Sequence, residues 1–193
     1  MYTVILNGSP RKNGDTIKLL NMIIPKINGD CKIINTFFSN VSPCIDCRKC
    51  HTSDSCSIND NMPAFLDDLK SADNIIISSP LHYSMLSGNL LSFFSRFQYI
   101  FVSKNIRKDP NFNMKKKKGY LILTGGGATK DFSPAEKISK LILRELNASL
   151  DSVLKYTDTD KFPLKNFNSF EEEKKLFIYN EIEKFTSKIN TSL

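Results

Sequence analysis

Tyr2-Thr3-Val4-Ile5-Leu6-Asn7-Gly8-Ser9-Pro10-Arg11-Lys12-Asn13-Gly14-Asp15-Thr16 sets the architecture of the chain. Thr3–Leu6 is short, apolar and partly β-branched, and it stops at Asn7-Gly8, the pattern of a buried strand. A polar loop follows, and from about Asp15 the residues Ile17, Leu20 and Ile24 recur at helical spacing, with Pro25 near the end. Strand, polar loop and helix in that order make one unit of an α/β architecture.

The same alternation continues outward. Lys32–Phe37 is a second strand candidate, and the polar, aperiodic stretch from Ser42 to Asn59 reads as loop. Met62, Phe65, Leu66 and Leu69 mark a short helix that tolerates Pro63 in its first turn. Asn74-Ile75-Ile76-Ile77-Ser78-Ser79 is the strongest strand and closes at Pro80; Leu90, Phe93, Phe94, Phe97 and Phe101 form the apolar stripe of the next helix. Tyr120–Thr124 is a fourth strand ending at Gly125-Gly126-Gly127, and Ser152–Tyr156 a fifth. Ser133 with Glu136, around Pro134, predicts a capping box ahead of Ile138, Leu141 and Ile142. Ser169 with Glu172 predicts another, ahead of Leu176, Tyr179, Ile182 and Phe185. Strands alternating with helices imply right-handed crossovers and a parallel sheet covered on both faces. The 193 residues carry no repeat and no linker, which predicts a single domain over 1–193 with a cysteine-rich insertion at about 42–59.

Composition excludes several classes. Hydrophobic residues make up 40% and charged residues 24%, as in a globular chain. No apolar run approaches the roughly 20 residues that span a bilayer, and the N-terminus turns polar before a signal-peptide core forms. Of five cysteines, four fall between Cys44 and Cys56, unlike a secreted disulfide framework, so a cytoplasmic location is expected. The net charge of +7 raises nucleic acid or an anionic ligand as partner. Its densest run, Lys115–Lys118, reads as a solvated strand entry, and no nucleic-acid motif accompanies it, so no nucleic-acid partner and no membrane are expected.

In an open parallel sheet, ligands bind beyond the carboxyl ends of the strands. Three loops of unusual composition reach that edge. In the first, the hydroxyls of Ser9 and Thr16, the amide of Asn13, Gly14, Asp15 and the backbone N–H groups of a helix N-terminus make a phosphate cradle, to which Arg11 and Lys12 add charge. It is neither a Walker A motif nor Gly-x-Gly-x-x-Gly. The second, Pro80-Leu81-His82-Tyr83-Ser84, offers a ring-stacking face together with backbone polar groups. The third, Thr124-Gly125-Gly126-Gly127-Ala128-Thr129, lets backbone approach a flat ligand.

Gly8–Thr16 is similar to the phosphate loop of the flavodoxin-like NAD(P)H-dependent FMN reductases. Ser79–Tyr83, followed by Ser87-Gly88 and an aromatic helix ending in Arg96, resembles that family's flavin-ring segment. Pro43-Cys44 to Cys56, then Asp60-Asn61-Met62, is similar to the cysteine-rich insertion of its iron–sulfur flavoprotein branch. The resemblance covers nearly the whole chain, in order. It implies a three-layer α/β/α sandwich with a five-stranded parallel sheet in the order 2-1-3-4-5. It also implies FMN held by its phosphate on Ser9, Arg11, Asn13, Gly14 and Thr16, with Pro80, Leu81, His82 and Tyr83 on one side of the isoalloxazine and Thr124–Gly127 on the other. His82 departs from the aromatic or other residue that the family more often carries there in a Pro-Val-Tyr type sequence, which leaves the stacking residue open between His82 and Tyr83.

The spacing Cys44-x2-Cys47-x2-Cys50-x5-Cys56 is too compact for two zinc knuckles. The repeated x2 gap is that of bacterial ferredoxin ligands to one [4Fe–4S] cube. A zinc site using His51, a local redox disulfide and four plain thiols remain alternatives; Cys31 has no special role. The expected activity is FMN-dependent oxidoreduction, with NAD(P)H as reductant and a small-molecule or protein acceptor, and with no catalytic side chain because the flavin carries the chemistry. A flavodoxin-like electron carrier, a basic zinc module binding nucleic acid and a redox sensor are the alternatives. The surplus of apolar surface on Phe93, Phe94 and Phe97 predicts a homo-oligomer, dimer or tetramer.

Overall fold

A computed structural model describes residues 1–127 and 131–191. Five parallel strands, β1 (Tyr2–Asn7), β2 (Asp30–Asn35), β3 (Asn74–Pro80), β4 (Lys117–Thr124) and β5 (Ala148–Tyr156), form one sheet in the order β2-β1-β3-β4-β5. The helices between them are α1 (Asp15–Ile23), the single turn α2 (Lys49–Thr52), α3 (Met62–Ser71), α4 (Gly88–Ser95), α5 (Gln98–Asn105) and α6 (Ser133–Glu145), and α7 (Glu172–Asn190) follows β5.

Because successive side chains of a strand point to opposite faces, the continuous apolar runs fill two cores. Val4, Leu6, Ile75, Ile77, Leu121 and Leu123 point one way, toward α3, α4, α5 and α6. Ile5, Ile76, Tyr120, Ile122 and Leu154 point the other way, toward α1 and α7. The carboxyl ends of β1, β3 and β4 finish level, with Asn7 beside Ser78 and Pro80 beside Thr124. Gly8 N–H donates to the Ser78 carbonyl (2.8 Å) and Leu81 N–H to the Thr124 carbonyl (2.7 Å), so the loops leaving these strands start side by side.

Several sequence expectations change in detail. The aromatic stripe is two helices, α4 and α5, with a break between Ser95 and Gln98. Phe93, Phe94 and Phe97 are all buried and packed ring against ring within the chain, so they leave no surplus apolar surface and the argument for an oligomer built on them lapses. Neither capping box forms: Ser133 N–H donates to Asp131 Oδ1, Glu136 pairs with Lys155 at 2.7 Å, and Ser169 ends a 3-10 segment before α7 begins. The buried stripe of α7 is Ile178, Ile182, Phe185 and Ile189, while Leu176 and Tyr179 face solvent.

The lysine run is not wholly solvated. Lys117 is completely buried at the start of β4, its Nζ donating to the Lys115 carbonyl at 2.8 Å. Burial first, then the nearby charges of Lys115 and Lys104, push its ammonium down to about 8. Lys115 pairs with Asp73 at 2.6 Å, and Lys118 donates to Thr191 at 2.9 Å.

Candidate functional site

The three loops singled out from the sequence meet at the carboxyl edge of the sheet. They line one cleft of about 290 Å3, to which Ser9, Arg11, Gly14, Asp15 and Thr16 contribute from the first loop. Pro80, Leu81 and His82 come from the second, and Thr124, Gly125 and Gly126 from the third. Ala128 and Thr129 lie outside the described residues.

Local bonding explains why the first loop holds an open shape. Asn7 Oδ1 accepts the Ser9 N–H (3.1 Å), Ser9 Oγ accepts the Arg11 N–H (3.3 Å), and Asn35 Nδ2 donates to the Ser9 carbonyl (3.2 Å). Gly14 caps α1 with extended backbone and no side-chain cap, and the first backbone bond back along the helix runs from Lys18 N–H to the Gly14 carbonyl. The N–H groups of the first turn therefore have no partner within the helix and present the positive end of its dipole. Thr16 Oγ1, at that end, shares a 2.7 Å bond with Thr124 Oγ1, joining the first loop to the third. Gly8 allows the close passage this requires: a Cβ there would stand 2.5 Å from Ser87 Oγ and 2.9 Å from Leu90 Cβ. Ser87 completes the brace, its hydroxyl donating to the Gly8 carbonyl and its N–H to Ser79 Oγ.

Two carboxylates also border the cleft. Asp15 is occupied, its Oδ1 accepting the Leu164 N–H at 2.6 Å. Asp160 belongs to the loop after β5, which sequence reasoning missed along with Thr159. Thr159 and Asp160 donate backbone N–H bonds of 3.0 Å to the carbonyls of Gly125 and Gly126. The signal was positional, since any loop leaving β5 must arrive at the same edge.

The second loop holds its two rings in different places. His82 and Met85 exchange backbone bonds of 3.0 and 2.9 Å around Tyr83 and Ser84, both left-handed at φ 52° and 61°. This tight turn directs Tyr83 entirely into solvent, while His82 lines the cleft. Non-glycine residues pay about 1–2 kcal/mol each for that backbone conformation. Ser84 anchors the turn by accepting the Ala135 N–H at 3.2 Å. Asn13 lies outside the cleft, lining an adjoining one of about 450 Å3 with Arg11, Lys18 and Lys165; Gly127 is exposed beyond the rim.

Cys44, Cys47, Cys50 and Cys56 all line one small depression of about 20 Å3, roofed by Arg96 and Tyr99. Burial, and then the neighbouring Cys44, Cys56 and Cys47, push the Cys50 thiol up, as expected when four sulfurs crowd together. The Ser57 hydroxyl, 2.8 Å from Cys47 Sγ, is the main cause that lowers the Cys47 thiol. Burial raises the Cys31 thiol, which lies far from the group in β2. The donor set and its gathering on one depression fit a four-thiolate centre, although no three His, Cys, Asp or Glu side chains among the described residues already stand in ligating geometry. The insertion is pinned to the α4–α5 region: Cys44 N–H donates to Ser95 Oγ (2.9 Å) and Tyr99 Oη to the Asp54 carbonyl (2.7 Å). Arg96, 3% exposed, donates to Asp60, to the Ser42 carbonyl and to Cys56 Sγ. Burial alone would raise the Asp60 carboxyl, but Arg96 and the N–H groups of Met62 and Ser42 outweigh it and hold it below the usual range.

Among solved structures the fold is shared with an NAD(P)H:quinone oxidoreductase from Methanothermobacter marburgensis, at TM-score 0.66 and 12% identity over 100% of this chain and 99% of that one. An FMN-dependent NADH-azoreductase from Bacillus anthracis, solved in complex with FMN, gives a TM-score of 0.59 and 16% identity over 98% and 99%. Curated relatives include an iron–sulfur flavoprotein of Methanosarcina thermophila, 30% identical over 63% of this chain and 61% of that protein. Another, from Clostridioides difficile, is 35% identical over 46% and 42%. The matched segment thus spans about half the length of these relatives. The profile of the NADPH-dependent FMN reductases matches residues 1–150. With that match over most of its length, and with iron–sulfur flavoproteins among its relatives, the chain belongs to the NADPH-dependent FMN reductase family.

Proposed function

We propose that this protein is an FMN-dependent oxidoreductase that takes electrons from NAD(P)H and delivers them to an acceptor by way of a cluster on its four clustered cysteines. The observation that carries the reading is the convergence of three loops on one cleft whose deep end is the unpaired N-terminus of α1. Ser9, Thr16, Gly14 and the first N–H groups of α1 would bind the phosphate, with Arg11 closing over it from the exposed side. Pro80, Leu81 and His82 on one wall and Thr124, Gly125 and Gly126 on the other would border the flat ring, leaving Asn13, Tyr83, Ser84 and Gly127 at its margins. Asp15 would act indirectly, holding the segment around Leu164 beside the phosphate loop.

Bound FMN supplies hydride acceptance from a nicotinamide and release of the electrons as a pair or singly. The chain's own part is orientation: the phosphate cradle fixes one end of the cofactor, and the strained turn at Tyr83-Ser84 fixes the position of His82. Cys44, Cys47, Cys50 and Cys56 would hold a [4Fe–4S] cluster, giving electrons a one-at-a-time route out of the site. A cytoplasmic location, where thiols stay reduced, suits that ligand set. The chain saturated with FMN and mixed anaerobically with NADH or NADPH should lose its flavin colour at a rate that rises with nicotinamide concentration. Flavin that is bleached by dithionite but left untouched by either nicotinamide would replace this reading with that of an electron carrier lacking reductase activity.

A further inference from the structure

Ser42 and Asp60 flank the cysteine insertion, 18 positions apart, and converge on a single buried guanidinium. Arg96 Nη1 donates to the Ser42 carbonyl at 2.9 Å and to Asp60 Oδ2, while Asp60 Oδ2 and Oδ1 accept the N–H groups of Ser42 and Met62, each at 3.0 Å. The side chains of both Arg96 and Asp60 are almost entirely buried, 3% and 5% exposed. An ion pair serving only to close the loop needs no further acceptor. Here Arg96 Nη2 lies 3.4 Å from Cys56 Sγ, and the same side chain borders the four-cysteine depression on one side and a cavity of about 360 Å3, floored by Met62 and Leu66, on the other.

We propose that Arg96 is the positioning residue of the four-cysteine centre, clamping both ends of the insertion through Asp60 and Ser42 while donating a charged hydrogen bond to the Cys56 sulfur. The proposal rests on the cluster reading above. A thiol sulfur is a weak acceptor, whereas an anionic or metal-bound sulfur is a good partner for a guanidinium N–H. Hydrogen bonds to the sulfurs are among the features that set a cluster's reduction potential. Adding one electron makes the centre more negative, so a cationic donor at Cys56 favours the reduced form and raises the potential. Lysine cannot replace arginine here, because a single ammonium cannot reach Asp60, Ser42 and Cys56 in the same fork geometry.

The test uses the full chain, purified or reconstituted anaerobically with iron and sulfide, as wild type, Arg96→Gln and Arg96→Lys. Iron and sulfide per chain and the cluster's midpoint potential are measured, with far-ultraviolet circular dichroism and bound FMN as controls for the fold. Both substitutions are expected to reduce iron content several-fold. In the chains that remain loaded, the potential should move negative by a tenfold change in the reduction equilibrium, about 59 mV for one electron. If Arg96→Gln does not fold, Arg96→Lys carries the test, since it can still pair with Asp60. Loaded variants at the wild-type potential overturn the proposal, whether or not iron is lost, since loss alone is what a purely structural clamp would give. Wild type that takes up no iron and sulfide overturns the cluster reading itself, a different outcome from iron-loaded wild type with unaltered variants.

Discussion

Replacing Lys117 by methionine should stabilise this protein at neutral pH and cease to do so in strong alkali. Lys117 is fully buried at the first position of β4, where its ammonium has one carbonyl partner, that of Lys115 at 2.8 Å, and no direct carboxylate among the described residues. Its pKa falls from an ordinary 10.5 to about 8. At about 1.4 kcal/mol per pH unit, that gap is a folding penalty of roughly 3 kcal/mol wherever the ammonium is charged in both states. Losing the bond to Lys115 returns about 1 kcal/mol of it, and methionine fills nearly the same volume, so the net gain at pH 7 is roughly 2 kcal/mol. The sign follows from proton counting. Between about pH 8 and 10.5 the unfolded chain keeps a proton that the folded chain has lost, so wild-type stability contributed by this group rises with pH and the penalty disappears. Urea unfolding of both proteins, in steps from pH 7 to pH 10.5, measures the difference directly, and other titrating groups cancel between them. Methionine should be ahead at pH 7 and level or behind above pH 10. A difference that does not change with pH, or a variant less stable at pH 7, would show that the buried Lys117 ammonium carries no folding penalty.

The site and the core give further expectations. Ser9→Ala combined with Thr16→Ala removes two hydroxyls from the cradle and should weaken FMN binding by about tenfold, leaving riboflavin binding nearly unchanged, by calorimetry of both ligands. Gly8→Ala forces a Cβ against Ser87 Oγ and Leu90 and should cost about 1–3 kcal/mol of stability in chemical denaturation, with loss of flavin retention as the brace to Ser87 shifts. Ile182→Ala, in the buried stripe of α7, should cost about 2–4 kcal/mol, whereas Leu176→Ala on the exposed side should stay within about 0.5 kcal/mol. Equal effects of the last pair in thermal melts would contradict the orientation of that helix.

The strands were readable because their apolar runs are continuous and both faces of the sheet are covered: Ile75–Ile77 admits no other element type between Ser71 and Pro80. The position of the first loop was readable for a related reason, since a strand that stops at Asn7-Gly8 and a helix that starts at Asp15 leave only one place for the residues between. Helix caps were not. Ser133 and Glu136 have the spacing of a capping box, but Asp131 reaches the Ser133 N–H first and Lys155, from β5, draws Glu136 away. Tertiary partners outcompete local ones when each bond is worth only about 1 kcal/mol. Lys117 was hidden for the opposite reason: in a run of four lysines nothing local distinguishes the one whose strand position points inward. The Arg96 clamp was equally illegible, because it joins Ser42, Asp60 and Cys56 across separations of 54, 36 and 40 residues. Thr159 and Asp160 carry no motif at all and enter the cleft only because β5 ends beside β4.

A phosphate-anchored flavin site in the cleft beside the α1 N-terminus must distinguish flavins by their phosphate. Titrating flavin-free protein with FMN and, separately, with riboflavin isolates the phosphate, the only chemical difference between the two ligands. FMN should bind at least about tenfold more tightly, an advantage of about 1.4 kcal/mol, and that advantage should shrink in high salt because Arg11 is exposed. Equal affinities for the two flavins, or binding of neither, would rule out a phosphate-anchored flavin site in this cleft.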